Sequence, residues 1–260
     1  METKIPFGNA YMNVIKFGNG PRNLAVIAGV SLSGLEGMGA AIEDALQIFA
    51  TDFTVYVFDR LNVLPTGYTI SDMADDVYKC LQILGIEHTC VYGTSQGGMI
   101  GQVLAISHPE LVEKLVICSS ISRMTPDLSH VMDLWSDAAK NYDIERLNML
   151  FIEYVYSQHF IDSIQDSIPE LIKNGTRDDC DHFAILIEAI RSFDIYNSLD
   201  RIKCPTFVLG DENDKVFGSK PSRETANKLG CDIYIYDQFS HAVYDEAPDI
   251  KQRILDFLTK

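Results

Sequence analysis

No stretch of this chain comes near the roughly 20 consecutive apolar residues that a membrane-spanning helix needs, so passage through a bilayer is not expected. Residues 1–20 lack a basic segment followed by an apolar core, and no secretory leader is read there. Clusters of lysine or arginine are missing too. Against 21 basic residues stand 37 acidic ones, and the formal net charge of -16 would repel nucleic-acid phosphates and anionic lipid alike. The six cysteines, Cys80, Cys90, Cys118, Cys180, Cys204 and Cys231, include no C-x-x-C pair, and no histidine stands at ligand spacing from a second histidine or a cysteine pair. Buried, reduced thiols are expected, and no metal. Internal repeats and low-complexity tracts are absent. These absences point to a soluble cytoplasmic protein whose partner is a small molecule rather than nucleic acid or membrane.

What is present is enough apolar material for one core: 47% of the 260 residues are hydrophobic and 22% charged, which suits a single domain carrying an insertion. Short apolar runs at 12–17, 24–28, 54–58, 89–92, 115–118, 206–209 and 232–236 alternate with helix-length segments. That order predicts an α/β fold with a parallel sheet. Leu24-Ala25-Val26-Ile27-Ala28 is apolar at every position, as a strand covered on both faces would be. Helices are predicted over 70–84, behind a cap at Thr69 or Ser71, over 98–107, and over 248–258 with Ile250, Ile254, Phe257 and Leu258 inward. Residues 122–197 break the alternation. Helical periodicity at 128–140, 143–156, 160–173 and 179–193, without a strand run, predicts an inserted helical lid on a core formed by 1–121 and 198–260.

Gly93-Thr94-Ser95-Gln96-Gly97 lies between a strand-like and a helix-like run. In that context a G-x-S-x-G string describes a nucleophile elbow, a sharp turn that lifts a serine hydroxyl above the sheet. Gly93 and Gly97 remove the β-carbons that would collide beside such a turn, and Gly98 lets the following helix lie close. A bare serine is a weak nucleophile at neutral pH; it needs a base, and the base needs an acid to fix its tautomer. Of the six histidines, His241 follows the last strand run and precedes the closing helix, in a loop at the sheet's edge. For the acid, Asp214 lies just beyond the run 206–209, with Asp211 and Glu212 as close competitors. The order Ser95, Asp214, His241 is the nucleophile, acid, base order of one known architecture and not of the chymotrypsin or subtilisin types. Backbone amides for the developing oxyanion are expected from Gln96 and from Val30, in the loop after residues 24–28 where Gly29 permits a turn.

Together, Ala28-Gly29, Phe58-Asp59-Arg60, Gly93 to Gly98, His108-Pro109-Glu110, Gly210 to Val216 and Ser240-His241 resemble the α/β-hydrolase superfamily over nearly the whole chain outside the lid. The resemblance implies an eight-stranded, mostly parallel sheet flanked by helices, a helical cap over the site, and no cofactor. It implies Ser95 as nucleophile, His241 as base, Asp214 as acid, and the Val30 and Gln96 amides as oxyanion hole. Ala28 replaces the histidine found before the glycine in many relatives, Phe239-Ser240 replaces the usual glycine before the histidine, and residues 59–67 lack a glycine-rich turn. No subfamily is assigned. Asp59 and Arg60 read as a structural ion pair or loop anchor before they read as substrate contacts.

Lid aromatics, among them Trp135, Phe151 and Tyr154, would line an apolar substrate pocket if they faced Ser95. The leading reading is therefore a serine hydrolase acting through an acyl-enzyme on a small, fairly apolar ester, thioester or lactone. Lyase, carbon-carbon bond-cleaving or acyl-transfer chemistry on the same toolkit is the second reading, and a ligand receptor that keeps the triad is the third. An exposed apolar lid face could support a homodimer.

Overall fold

Eight strands form one sheet in the computed structural model, which describes residues 1–260. They are β1 (Glu2–Phe7), β2 (Ala10–Phe17), β3 (Arg22–Ile27), β4 (Phe53–Leu61), β5 (Thr89–Thr94), β6 (Val112–Cys118), β7 (Thr206–Asp211) and β8 (Asp232–Tyr236). Their spatial order is β1-β2-β4-β3-β5-β6-β7-β8. Pairing is antiparallel for β1 with β2 and β2 with β4, and parallel throughout the rest. Eleven α-helices accompany them: α1 (Gly39–Leu46), α2 (Ile70–Ile83), α3 (Gln96–Ser107), α4 (Ser129–Lys140), α5 (Ile144–Val155), α6 (Gln158–Ser163), α7 (Ile168–Leu171), α8 (Arg177–Arg191), α9 (Lys220–Leu229), α10 (Val243–Glu246) and α11 (Ile250–Thr259).

The consecutive apolar run in β3 serves both faces of the sheet. Leu24 and Val26 join Val55, Val57, Cys90 and Tyr92 in one core, shared with Ile250, Ile254 and Leu258 of α11. Ala25 and Ile27 join Tyr56, Phe58 and Val91 in the other, shared with α2 and α3. Residues i and i+2 of a strand point the same way, so only an all-apolar stretch can supply two cores at once. Helix α3 is buried along Gln96–Ile106, and α2 opens on a capping box in which Thr69 and Asp72 exchange hydrogen bonds. Thr69, not Ser71, is its cap.

Between β6 and β7 the chain makes α4 to α8 and no strand. It leaves and re-enters the core at adjacent points: Met124 N–H donates to Phe193 O at 2.7 Å and Ile195 N–H to Ser122 O at 2.9 Å. The single helix expected over 160–173 is instead two short ones, α6 and α7. Pro169 stands in the first turn of α7. Proline has no N–H to bond backwards and suits a helix start, so the chain restarts there rather than continuing. No helix is long and apolar enough to cross a membrane.

Candidate active site

At the C-terminal end of β5 the backbone turns through Ser95 with φ 51 and ψ -120. A non-glycine residue there is strained by about 1–3 kcal/mol, and the surroundings must hold it. Ser95 N–H donates to Cys118 O at 2.8 Å; the Ser95 carbonyl accepts from Gly98 N–H at 2.9 Å and from Ser120 Oγ at 2.7 Å. The turn also depends on missing side chains. A β-carbon on Gly97 would lie 1.9 Å from the Ile27 carbonyl oxygen, and one on Gly93 would lie 2.3 Å from that of Gly97. Gly97→Ala should therefore separate α3 from β3 and lower stability by about 3 kcal/mol or more, read as a shift in urea midpoint. Gly101→Ala, whose β-carbon would touch only side-chain methyls at 3.2 Å, is the control and should lose much less. Equal midpoints for wild type and Gly97→Ala would contradict the packing described.

The turn aims Ser95 at a histidine brought from the far end of the chain. Ser95 Oγ lies 2.9 Å from His241 Nε2, and His241 Nδ1 lies 2.9 Å from Asp214 Oδ2. A carboxylate can only accept, so Nδ1 carries the ring proton and Nε2 is left free to accept from the serine hydroxyl. Asp214 is held in turn, its Oδ1 accepting from Val216 N–H at 2.8 Å and Phe217 N–H at 3.0 Å. The Phe217 ring meets the imidazole edge-on at 5.3 Å. Ser95 is 5% exposed, His241 2% and Asp214 7%, so the three groups interact with little water between them. The Val30 and Gln96 amides have no hydrogen-bond partner within the chain. Gly29 packs against Ser95, with room for a β-carbon only at 3.2 Å from that of the serine.

Other titratable groups near the site do different work. Asp211 is fully buried; its Oδ1 accepts from Asn213 N–H at 2.7 Å and its Oδ2 from Phe239 N–H at 3.0 Å, tying the Asp214 loop to the His241 loop. Burial raises its pKa, and those amides oppose the rise. Glu212 is exposed and pairs with Arg223 at 2.5 Å. The cysteines are all unpaired. Burial pushes the thiols up, Cys80 to about 12 and Cys90 to about 11, with Cys118 raised further, so none offers a thiolate at neutral pH. No three His, Cys, Asp or Glu side chains converge closely enough to hold a metal.

The helical segment between β6 and β7 touches the loops that carry Asp214 and His241. The last turn of α5 leaves carbonyls that a helix cannot satisfy itself. Lys215 Nζ donates to Glu153 O at 3.0 Å and Tyr156 O at 3.3 Å, and Ala242 N–H donates to Val155 O at 2.8 Å. Ser157 adds N–H and hydroxyl bonds to Glu246. Of the aromatics expected in a pocket, Trp135 and Phe151 stack at 5.4 Å, and both meet Phe183 edge-on. Trp135 and Phe183 belong to the same hydrophobic cluster as Ala25, Ile27 and Val91 of the sheet, with Phe151 packed against it. Tyr154 lies edge-on to His130, its carbonyl near Ser240 Oγ. A cavity of about 320 Å³ beside the loop after β3 is lined by residues that include Ala28, Gly29, Arg60, Asn13, His182 and Leu186; Ser95, His241, Trp135, Phe151 and Tyr154 are not among its walls. Such a mixed wall leaves no periodic signal in the sequence, since its residues come from strands, loops and α8.

Fold, elbow and loop order define a class. The family model for the alpha/beta hydrolase fold matches residues 31–153, and the chain has the α/β-hydrolase fold. A curated relative, "Putative carbamate hydrolase RutD" from Rhizobium rhizogenes, is 26% identical over 236 residues, covering 87% of this chain and 90% of the relative. One similar solved structure is MGS-M2, an alpha/beta hydrolase enzyme from a Medee basin deep-sea metagenome library, with a TM-score of 0.87 at 19% identity, covering 99% of this chain and 98% of that one. Another is the enol-lactonase from Burkholderia xenovorans LB400, with a TM-score of 0.86 at 18% identity, covering 99% and 100%.

Proposed function

We propose that this chain is a serine hydrolase that cleaves a small carboxylic ester, lactone or carbamate through an acyl-enzyme, with Ser95 as nucleophile, His241 as base and Asp214 as acid. The observation that carries the reading is the unbroken chain of two 2.9 Å contacts from Ser95 Oγ through the imidazole to Asp214. Ser95 Oγ attacks the carbonyl carbon while Nε2 takes its proton. The oxyanion is received by the Val30 and Gln96 amides, which have no partner within the chain. Collapse expels the alcohol or amine, which takes the proton from Nε2. Water then attacks the acyl carbon, His241 removes its proton and returns one to Ser95, and the acid leaves. Asp214 stays ionised throughout.

The similarity to proteins named as carbamate hydrolase and enol-lactonase supports the three substrate types. Helices α4 to α8 act as the cap in this reading, and the protein works in the cytoplasm. Incubation with a fluorophosphonate followed by peptide mass spectrometry should find the adduct on Ser95. A panel of p-nitrophenyl esters, lactones and carbamates should show turnover. No adduct on Ser95 together with no turnover across the panel would overturn the proposal.

A further inference from the structure

Asp59 and Arg60, at the C-terminal end of β4, take no part in the proton transfers above, yet their side chains bond the backbone of the loop that carries Val30 and the side chain of Gln96. Arg60 Nη2 donates to the Ala28 carbonyl at 2.8 Å and to Gln96 Oε1 at 3.0 Å, and Arg60 Nε donates to the same Oε1 at 3.1 Å. Asp59 Oδ2 accepts from Leu35 N–H at 2.7 Å, and its Oδ1 accepts from Arg60 N–H at 2.8 Å. The loop over residues 28–35 is thus pinned at its first and last residues by consecutive side chains. Gln96 is fixed from a third side, because its Nε2 donates to Leu186 O in α8 at 3.0 Å.

An arginine committed to neutral acceptors gains no ion-pair energy from them, so its position calls for another account. Ala28 precedes Gly29 and Val30, whose N–H is one donor; Gln96 supplies the other. Nη2 bridges the Ala28 carbonyl and Gln96 Oε1, and Nε adds a second bond to that same Oε1, so the planar fork fixes the Gln96 side chain with two donors of set geometry where a lysine ammonium offers a single freely rotating nitrogen. We propose that Arg60 is the positioning residue of the oxyanion hole, setting the distance between the Val30 and Gln96 amides and, through Gln96, tying that distance to the seat of α8. The proposal rests on the serine-hydrolase reading. Its signature follows from where the oxyanion exists: a hole that is out of register binds the ground-state ester as before and fails the tetrahedral intermediate.

The test compares wild type with Arg60→Met, Arg60→Lys, Gln96→Leu and the double variant Arg60→Met/Gln96→Leu in the full chain. Active sites are counted by exhaustive fluorophosphonate labelling, p-nitrophenyl acetate is the substrate, and a trifluoromethyl ketone is the oxyanion-forming inhibitor. Arg60→Met should lower kcat per labelled site about 10²-fold, with KM within about threefold. Inhibitor affinity should fall in step with kcat/KM, and the midpoint of the pH–kcat profile should not move, because the imidazole is untouched. Arg60→Lys should fall between Arg60→Met and wild type. The double variant should lose less than the product of the single losses, since both act on one contact. Unchanged kcat per labelled site, or a loss confined to KM, in Arg60→Met would sink the inference, as would fully multiplicative losses. If Arg60→Met does not fold, Gln96→Leu carries the same prediction. Wild type that is labelled at Ser95 and turns over ester, while Arg60→Met keeps its kcat, refutes only this inference; wild type that does neither refutes the reading beneath it.

Discussion

Ser95→Ala should lower turnover of p-nitrophenyl acetate by about 10⁴ to 10⁶-fold while the protein keeps its fold. The substitution removes only the hydroxyl oxygen. Alanine retains the β-carbon, so the strained backbone at φ 51 meets no new clash, and the bonds that hold the turn come from Ser95 N–H and C=O rather than from its side chain. The one bond lost is that to His241 Nε2, whose deletion changes stability by about 1 kcal/mol. Chemistry loses far more. With no alcohol to form the acyl-enzyme, what survives is attack by water assisted by His241 and the oxyanion amides, a small remnant of the catalytic effect. Circular dichroism and urea midpoint establish folding, and steady-state assay establishes the loss. Turnover within about tenfold of wild type in a folded Ser95→Ala protein would remove the serine from the mechanism.

The elbow is legible in the sequence because steric necessity writes itself in residue types. Only glycine fits at 93 and 97, and the flanking runs announce a strand and a helix. Asp214 is different. Three carboxylates lie within four residues of one loop, where no periodicity separates them; the choice is made by tertiary contacts, with Asp211 bonded to two amides, Glu212 to Arg223, and only Asp214 to the imidazole.

Three elements leave almost no sequence signal for a physical reason. Strand β1 lies at the sheet's edge with Ile5 as its one buried residue, and its best marker is the two-residue Gly8-Asn9 turn into β2. Helix α1 has no buried residue, so it shows no apolar stripe. Helix α9 buries Pro221, Ser222, Thr225 and Ala226, small residues that let it approach β7, where a β-carbon on Gly210 would come within 3.0 Å of Ser222 Oγ. Close packing of small side chains looks polar in sequence. The aromatics of α4, α5 and α8 are legible as rings at helical spacing, and Trp135, Phe151 and Phe183 do pack on one another, but helical spacing alone does not give the side of a helix that faces Ser95. The Asp59-Arg60 dipeptide is visible as a loop anchor, but what it anchors depends on contacts across 24 and 36 residues of chain.

Asp214→Asn should lower kcat by about 10⁴-fold with little change in structure, and Asp211→Asn should not. The reason is a tautomer. The asparagine introduced at 214 could still offer its carbonyl oxygen to the Val216 and Phe217 amides, which now bond Oδ1. Its NH₂ would then face His241 Nδ1 and require that nitrogen to accept. The ring proton would move to Nε2, which could no longer take a proton from Ser95, and no negative charge would remain to stabilise the imidazolium. At Asp211 neither oxygen touches the imidazole; they hold the Asn213 and Phe239 amides of the loops that carry Asp214 and His241. Asp211→Asn should therefore lower stability by about 1–3 kcal/mol, since an NH₂ must now face an amide donor, and leave kcat per folded molecule within about tenfold. Glu212→Gln, on the exposed side of the same loop, should leave activity unchanged. Measuring all three with the same ester and scoring kcat per fluorophosphonate-labelled site separates chemistry from folding. If Asp211→Asn or Glu212→Gln gave the larger kcat loss, the acid would be misassigned, and the His241 tautomer would be set by a contact other than the 2.9 Å one to Asp214.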